Sequence, residues 1–387
     1  MARCRSAEIS EGELEQWKLL EPFQRLLEQA VARHGLGSSW QDPQRLLSHS
    51  HYLSLVLFGL LNPVVRTMRG LCAASRLPRV QRQVCAGPVS LGSFSEAQHV
   101  VEPALLEEVF HTLSAEVHGR GGEVRLAQRP WQVVDSTLWE ALPRMQWALW
   151  RTQSKRQQAV RLHVSFHLLE DKPVRAVVTE GRRCERAVWR TQWERGAAYV
   201  GDRYYGQDYQ LLDELTAHDG HYVLRLRDDA MVRVEEELPL TAEDRAAAVV
   251  RQAWAHLGCL THHRRARVRV VWLQTPTVAL RLVTNQTPQQ LSAALVALLY
   301  RYRWTVELFF RWLKCILGNR HWLAESSRGV ALQLYLALIA ALLLQLYTGQ
   351  RPNKRMMELL QLYLLGWAST ADIDAALRQL GAKKAAQ

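Results

Sequence analysis

Apolar residues recur at spacings near 3.6 in three early stretches, 12–33, 43–68 and 95–117, and predict helices there. Gly35, Gly37, Gly70, Pro88, Gly92 and the run from Gly119 to Gly122 punctuate them, the last reading as a linker. Hydroxyls at Ser93 and Ser95 offer caps for a helix beginning near Glu96. From Pro130 the period shortens. Residues 161–168 alternate strictly, with Leu162, Val164, Phe166 and Leu168 on one face and Arg161, His163, Ser165 and His167 on the other. Further strands are predicted at 132–135, 174–179, 197–201 and 222–227, with helices at 184–194 and 209–218, which together make a mixed α/β layer.

Residues 228–285 break that pattern with an acidic helix at 242–257, a basic strand at 265–273 and a strand at 278–284, so they read as an insertion. Helices resume at Pro288 and run almost to the end, broken at 349–352. The predicted organisation is a helical region at 1–128, α/β core at 129–227, mostly β insertion at 228–285, more core at 286–348, and a helical region at 349–387. No internal repeat or low-complexity tract is present.

Composition narrows the class. With 48% hydrophobic residues over 387 positions the chain can bury a sizeable core. A formal charge of +12 suits a polyanionic partner, because neutralised phosphates release counterions, although charge alone permits this without specifying it. The six cysteines form no CxxC pair, which argues against a disulfide framework or zinc ribbon and fits a reducing, cytoplasmic setting. Cys259 with His262 and His263 has metal-like spacing but no second pair to complete a site. The first fifteen residues lack the basic-then-apolar order of a signal peptide, so the protein is expected to stay where it is made. The most membrane-like stretch, 330–346, is short and interrupted by Gln333 and Gln345; a buried core helix and no membrane partner are expected.

Candidate chemistry concentrates in residues 300–314. Taken as one helix, Tyr300, Arg303, Glu307 and Lys314 fall within an arc of roughly 60°, with Val306, Phe309, Leu313 and Leu317 on another side. The bland reading is a solvated face on which Arg303 and Glu307 pair four residues apart. Upstream, Asp135 closes the apolar run Trp131 to Val134, and Asp202 closes Ala197 to Gly201. Either aspartate alone reads more often as a turn or helix-cap carboxylate, and only the order strand Asp, strand Asp, helix Glu points to catalysis.

The spacing Y-x2-R-x3-E-x6-K of Tyr300, Arg303, Glu307 and Lys314 resembles the YREK signature of the DDE transposases of bacterial insertion sequences. Asp135 with Ser136 and Thr137, and Asp202 with Arg203, Tyr204 and Tyr205, are similar to that family's two catalytic aspartates. The likeness continues through 221–227, 282–285 and 349–360. It implies a ribonuclease H-like core that carries Asp135, Asp202 and Glu307, interrupted by a mostly β insertion. It also implies metal-dependent cleavage at transposon ends and strand transfer into target DNA. Tyr300, Arg303 and Lys314 would contact end phosphates, and a homodimer would synapse double-stranded DNA inside a bacterial cell.

Three carboxylates suit two hard cations, Mg2+ or Mn2+, since Mg2+ keeps several waters and accepts few protein oxygens. Asp135 is expected to bridge both ions while Asp202 and Glu307 each complete one shell. Clustered carboxylates should also raise one pKa among them, so activity should fall in acid. On the insertion strand, Arg265, Arg267 and Arg269 alternate onto one face that either tracks a DNA backbone or is simply solvated. Some relatives place a base-stacking tryptophan just before the 282–285 strand. Here Val278, Ala279 and Leu280 stand there, with Trp272 one strand earlier. Two other functions stay open: a DNA-binding descendant without activity, and a glycoside hydrolase with paired carboxylates.

Overall fold

The computed structural model describes residues 20–34, 47–118, 129–151, 156–258, 267–275, 277–317 and 322–385. Helices α1 (Leu20–Arg33), α2 (His49–Leu61), α3 (Met68–Ala74), α4 (Pro78–Gln83), α5 (Leu91–Val100) and α6 (Pro103–Glu116) come first. Side-chain hydroxyls start three of them: Ser48 caps α2, Thr67 caps α3, and Ser90 caps α5 by accepting from the Ser93 N–H. Helix α5 therefore begins before the serines expected to cap it.

The core follows as β1 (Trp131–Glu140), β2 (Leu149–Arg151), β3 (Arg156–His167), β4 (Lys172–Glu180), α7 (Glu185–Arg190), β5 (Ala198–Gly201), α8 (Arg203–Gly206), α9 (Tyr209–Ala217) and β6 (His221–Arg225). The order β4-β3-β1-β5-β6 has antiparallel pairs up to β1 and parallel pairs from β1 to β6. This is the ribonuclease H-like arrangement expected from the sequence. The alternation in β3 is real, and both of its faces are covered: Leu162, Val164 and Phe166 enter the main core, while His163 and Ser165 are also buried. His163 meets Thr179 on β4 at 3.0 Å.

The 228–285 segment holds β7 (Val232–Leu238), α10 (Ala242–Ala246), β8 (Val249–Leu257), β9 (Val268–Gln274) and β10 (Ala279–Thr284). It does not hang off the core as a separate unit. Strand β10 pairs antiparallel with β6, and the order β10-β9-β8-β7 continues the same ten-stranded sheet out to its edge. The acidic helix expected at 242–257 is largely wrong. Thr241 and Asp244 close a capping box around one short helix, Ala248 turns the chain at φ 64°, and the remainder is strand β8.

Helices α11 (Ala293–Tyr302), α12 (Trp304–Leu317), α13 (Ser327–Thr348), α14 (Lys354–Leu364) and α15 (Thr370–Ala385) complete the chain. Helix α13 is long and apolar enough to cross a membrane by length and composition, yet 94% of its most apolar window is buried inside the protein. It packs on α6, α2, α5 and β4. The two glutamines that interrupt it are both used: Gln333 accepts from the Leu323 N–H at 3.0 Å, and Gln345 donates to the Glu170 carbonyl at 2.8 Å. The buried Lys172 donates to the carbonyls of Ser114 and Val117, stapling the open end of α6 to the β3–β4 hairpin.

Candidate active site

Parallel pairing of β1 with β5 decides where two carboxylates go. The pairs run Trp131 with Ala198, Gln132 with Tyr199 and Val133 with Val200. Asp135 and Asp202 each lie two residues beyond the last pair, so they share a face with Val133 and Val200. That face belongs to the large core, to which α12 and α13 also contribute. Val134 and Gly201 face the smaller core on the other side. Gly201 allows a close approach, because a Cβ there would lie 2.8 Å from Leu224 and 3.1 Å from the Tyr205 ring. Asp202 is also the N-cap of α8, accepting from the Tyr204 N–H at 2.8 Å.

Helix α12 brings the third carboxylate. Phe309, Phe310, Leu313 and Ile316 bury its inner side, and the Phe309 ring meets Phe166 of β3 at 5.2 Å. Each such side chain stabilises the docking by about 2 kcal/mol through area removed from water. Glu307 is left at the rim of this contact, 31% exposed. The signature does not lie on a single helix. Tyr300 belongs to α11, Glu307 and Lys314 to α12, and Arg303 is the junction, capping α11 through its N–H to the Tyr300 carbonyl at 3.1 Å. Backbone angles at the junction stay helical, so the shared face survives the break.

Arg303 ties the site together. Its Nη2 lies 2.7 Å from Glu307 Oε1 and its Nη1 lies 3.5 Å from Asp135 Oδ2. Rings of Tyr300 and Trp304 flank the guanidinium at 5.8 and 5.6 Å. Asp135 has its pKa pushed up to about 7, first by burial and then by the charges of Asp202 and Glu185; the Ser136 N–H and Arg303 pull the other way. The donor set is all carboxylate oxygen, the chemistry that hard divalent cations take. As the side chains stand, no three His, Cys, Asp or Glu groups among the described residues surround one point, and the Arg303 guanidinium contacts both Asp135 and Glu307.

The remaining expected residues divide. Tyr300 is buried, its hydroxyl shifted upward in pKa by burial and hydrogen-bonded with Arg225. Lys314 sits with its ammonium 5.6 Å from the centre of the Trp139 ring, and burial lowers its pKa. Arg267 is exposed but engaged, 3.4 Å from Glu235 and 3.6 Å from Glu236. Arg269 corrects the expected arginine track: it is fully buried and donates to the Leu291 carbonyl, so it has no surface to offer DNA. Trp272 carries the Arg251 guanidinium over its ring at 4.7 Å. Arg265 and the Cys259, His262 and His263 cluster lie outside the described residues.

Two residues behind the carboxylates escaped the sequence reading. Arg161 of β3 donates to Ser136 Oγ at 2.9 Å and to the Gly181 carbonyl at 3.1 Å, and it pairs with Glu185 at the start of α7. Glu185 also accepts from the buried Tyr205 hydroxyl at 3.3 Å. This network touches the residue after Asp135, inside β1, and the helix that Asp202 caps. The polar row of β3 was a signal for Arg161; nothing in the sequence marked Glu185.

Comparison with known proteins adds an independent line. Residues 127–343 match the family model described as the transposase DDE domain. The chain is 28% identical over 219 residues to a Geobacillus stearothermophilus protein named as a transposase for insertion sequence element IS5377, covering 56% of each chain. It is 26% identical over 236 residues to a Sinorhizobium fredii protein named as transposase y4zB, covering 59% of this chain and 64% of the relative. The chain thus spans somewhat over half the length of these relatives. Among solved structures, a piggyBac transposase synaptic complex with hairpin DNA covers 93% of this chain and 81% of its own, at 9% identity and a TM-score of 0.47.

Proposed function

The chain belongs to the transposase DDE domain family, and from that premise we propose that it cuts DNA at the ends of a mobile element and joins them to target DNA. The observation that supports the reading is the contact of one guanidinium, Arg303, with both Asp135 and Glu307, next to Asp202, whose charge acts on Asp135. Asp135, inside β1, and Asp202, just past the end of the parallel strand β5, stand at the same level.

In this reading Asp135, Asp202 and Glu307 hold two Mg2+ ions, or Mn2+ in their place. Bound there, the ions would supply an activated attacking oxygen and a stabilised leaving oxygen. Asp135 must give up a proton near neutral pH before it can serve as a ligand, which couples ion binding to proton release. Arg303 has the fork geometry to grip a phosphate, and Lys314 would act as a point charge; Tyr300 is hydrogen-bonded with Arg225 and is near enough to Asp202 to feel its charge. Tyr300 is buried and Lys314 is half-buried against Trp139 of β1, so a phosphate would have to come close to the sheet to meet them. A second copy of the chain, one on each DNA end, completes the proposed complex.

The test uses DNA flanking the coding region, searched for paired inverted repeats. Duplexes that carry those repeats, incubated with the protein and Mg2+ or Mn2+, should be cut at the repeat boundary. Chelator should stop the cutting, and Asp202→Ala should remove it. Binding without cleavage would favour an inactive DNA-binding descendant, and cleavage that persists in Asp202→Ala would overturn the carboxylate assignment.

A further inference from the structure

Arg303 has two claimants. The proposed function gives it to a DNA phosphate, whereas in this structure both of its terminal nitrogens face carboxylates, at 2.7 Å from Glu307 and 3.5 Å from Asp135. A phosphate gripped end-on by Nη1 and Nη2 would have to take the place of the carboxylates that these two nitrogens now face. The guanidinium remains charged at any pH relevant to a cell, so it cannot yield by losing a proton and must move instead.

Three features show that the present contact is a resting arrangement with room to change. First, Arg303 Nε is buried without a partner among the described residues, a donor that this placement leaves unmet. Second, Arg303 is the junction between α11 and α12, where the hydrogen bond from its N–H spans three residues, so its backbone belongs to neither helix interior. Third, the side chain lies beside the rings of Tyr300 and Trp304, and Trp304 is 54% exposed, so the guanidinium has an aromatic path toward solvent.

We propose that Arg303 is a resident counter-cation: it occupies the space between Asp135 and Glu307, competes with divalent ions for them, and is drawn off by a DNA phosphate. The proposal rests on Asp135 and Glu307 being metal ligands. A positive group already seated between two ligands lowers apparent ion affinity by the fraction of molecules in which it has left. Phosphate offers the same fork geometry as a carboxylate, so it can take Arg303 without leaving the guanidinium unpaired. Ion loading and DNA binding then become one linked event, and protein free of DNA is kept from acting as a general nuclease.

Mn2+ titration of the full chain without DNA tests this. Arg303→Gln should bind Mn2+ at least about tenfold more tightly than the unaltered protein, whereas Arg301→Gln, which removes an exposed charge two residues away, should stay within about twofold. Arg303→Lys should fall between, since an ammonium cannot bridge two carboxylates as a fork. A short random-sequence duplex should tighten Mn2+ binding by the unaltered protein and leave Arg303→Gln unchanged. Mn2+ should raise the melting temperature of Arg303→Gln more than that of the unaltered chain, a reading that holds even if the variant starts out less stable.

Equal Mn2+ affinity in Arg303→Gln and the unaltered protein would overturn the counter-cation, as would an equal gain from Arg301→Gln or an equal response of both proteins to duplex. In those cases weakened Mn2+ binding by Asp135→Asn would leave the carboxylate site standing. If Asp135→Asn and Glu307→Gln, each added to Arg303→Gln, left Mn2+ affinity untouched, the metal reading itself would fail along with the proposal.

Discussion

The two halves of the sheet handle charge in opposite ways. Around β1 and β5 a few charged groups are partly buried and crowd one place: burial with the charges of Asp202 and Glu185 raises the pKa of Asp135, Arg303 pulls it down, and Arg161 pairs with Glu185. On the outer strands β7 to β9 the charges are numerous, exposed and paired off locally, Arg251 with Glu237, Arg267 with Glu235 and Glu236, and His256 with Glu235. Crowded, desolvated charge stores free energy that a ligand can release, whereas exposed pairs are worth little and are screened by salt. The basic strand that drew attention in the sequence is largely neutralised by its own neighbours. The quieter acidic residues are where chemistry can occur.

Substitutions that separate these regions should differ in scale. Glu307→Gln should lower chelator-sensitive cleavage of repeat-containing duplex by about a thousandfold, the size expected when a charge that stabilises the transition state is lost; comparison of initial rates measures it. Acid should come next. Asp135 holds its proton up to about pH 7 in the metal-free protein, so below that Mn2+ affinity should weaken by about tenfold per pH unit. The sign extends to stability: a carboxyl pKa raised above its unfolded value means that the metal-free fold loses this contribution as pH climbs from the unfolded value toward 7. Melting curves at pH 5 and 8, with and without Mn2+, would show it, and Asp135→Asn should flatten the difference.

A deeply buried pair of charges in the outer region makes the contrast sharper. Asp244 accepts from the N–H groups of Thr241 and Ala294 at 2.9 and 2.8 Å, and its charge faces the buried Arg269. Asp244→Ala should cost about 3 kcal/mol in denaturant unfolding, because two donors and a buried cation lose their acceptor. Glu185→Gln should reduce turnover by about tenfold with little change in melting temperature, and the loss should be smaller with Mn2+ than with Mg2+, whose geometry is stricter. A melting temperature that fell in step with turnover would make Glu185 merely structural. Arg251→Gln should change stability by less than about 0.5 kcal/mol and leave binding to repeat DNA within about twofold, as suits an exposed pair.

Much of the site was legible because its logic is local. Asp135 and Asp202 each follow an apolar run that can only be a strand, and Glu307 follows Arg303 by one helical turn. What was missed depends on distant partners. Residues 242–257 carry helix-forming alanines throughout, and the reversal into β8 rests on Ala248 adopting a left-handed backbone that no composition announces. Strand β7 alternates only at Val232, Arg233 and Val234 before Glu235, Glu236 and Glu237 follow in succession, and it forms by pairing with β8. Arg269 looked exposed by parity with Arg267 and is buried because Leu291, on a later loop, supplies a carbonyl.

Strand β7 also has a bearing on the life of the protein in a crowded cell. It is the outermost strand, and its free edge offers backbone donors and acceptors to any extended chain that drifts alongside. The consecutive glutamates of that strand are held by cations of the neighbouring strands, Glu235 by Arg267 and His256, Glu236 by Arg267 and Glu237 by Arg251, so charged pairs and not apolar side chains flank the edge that another chain would meet.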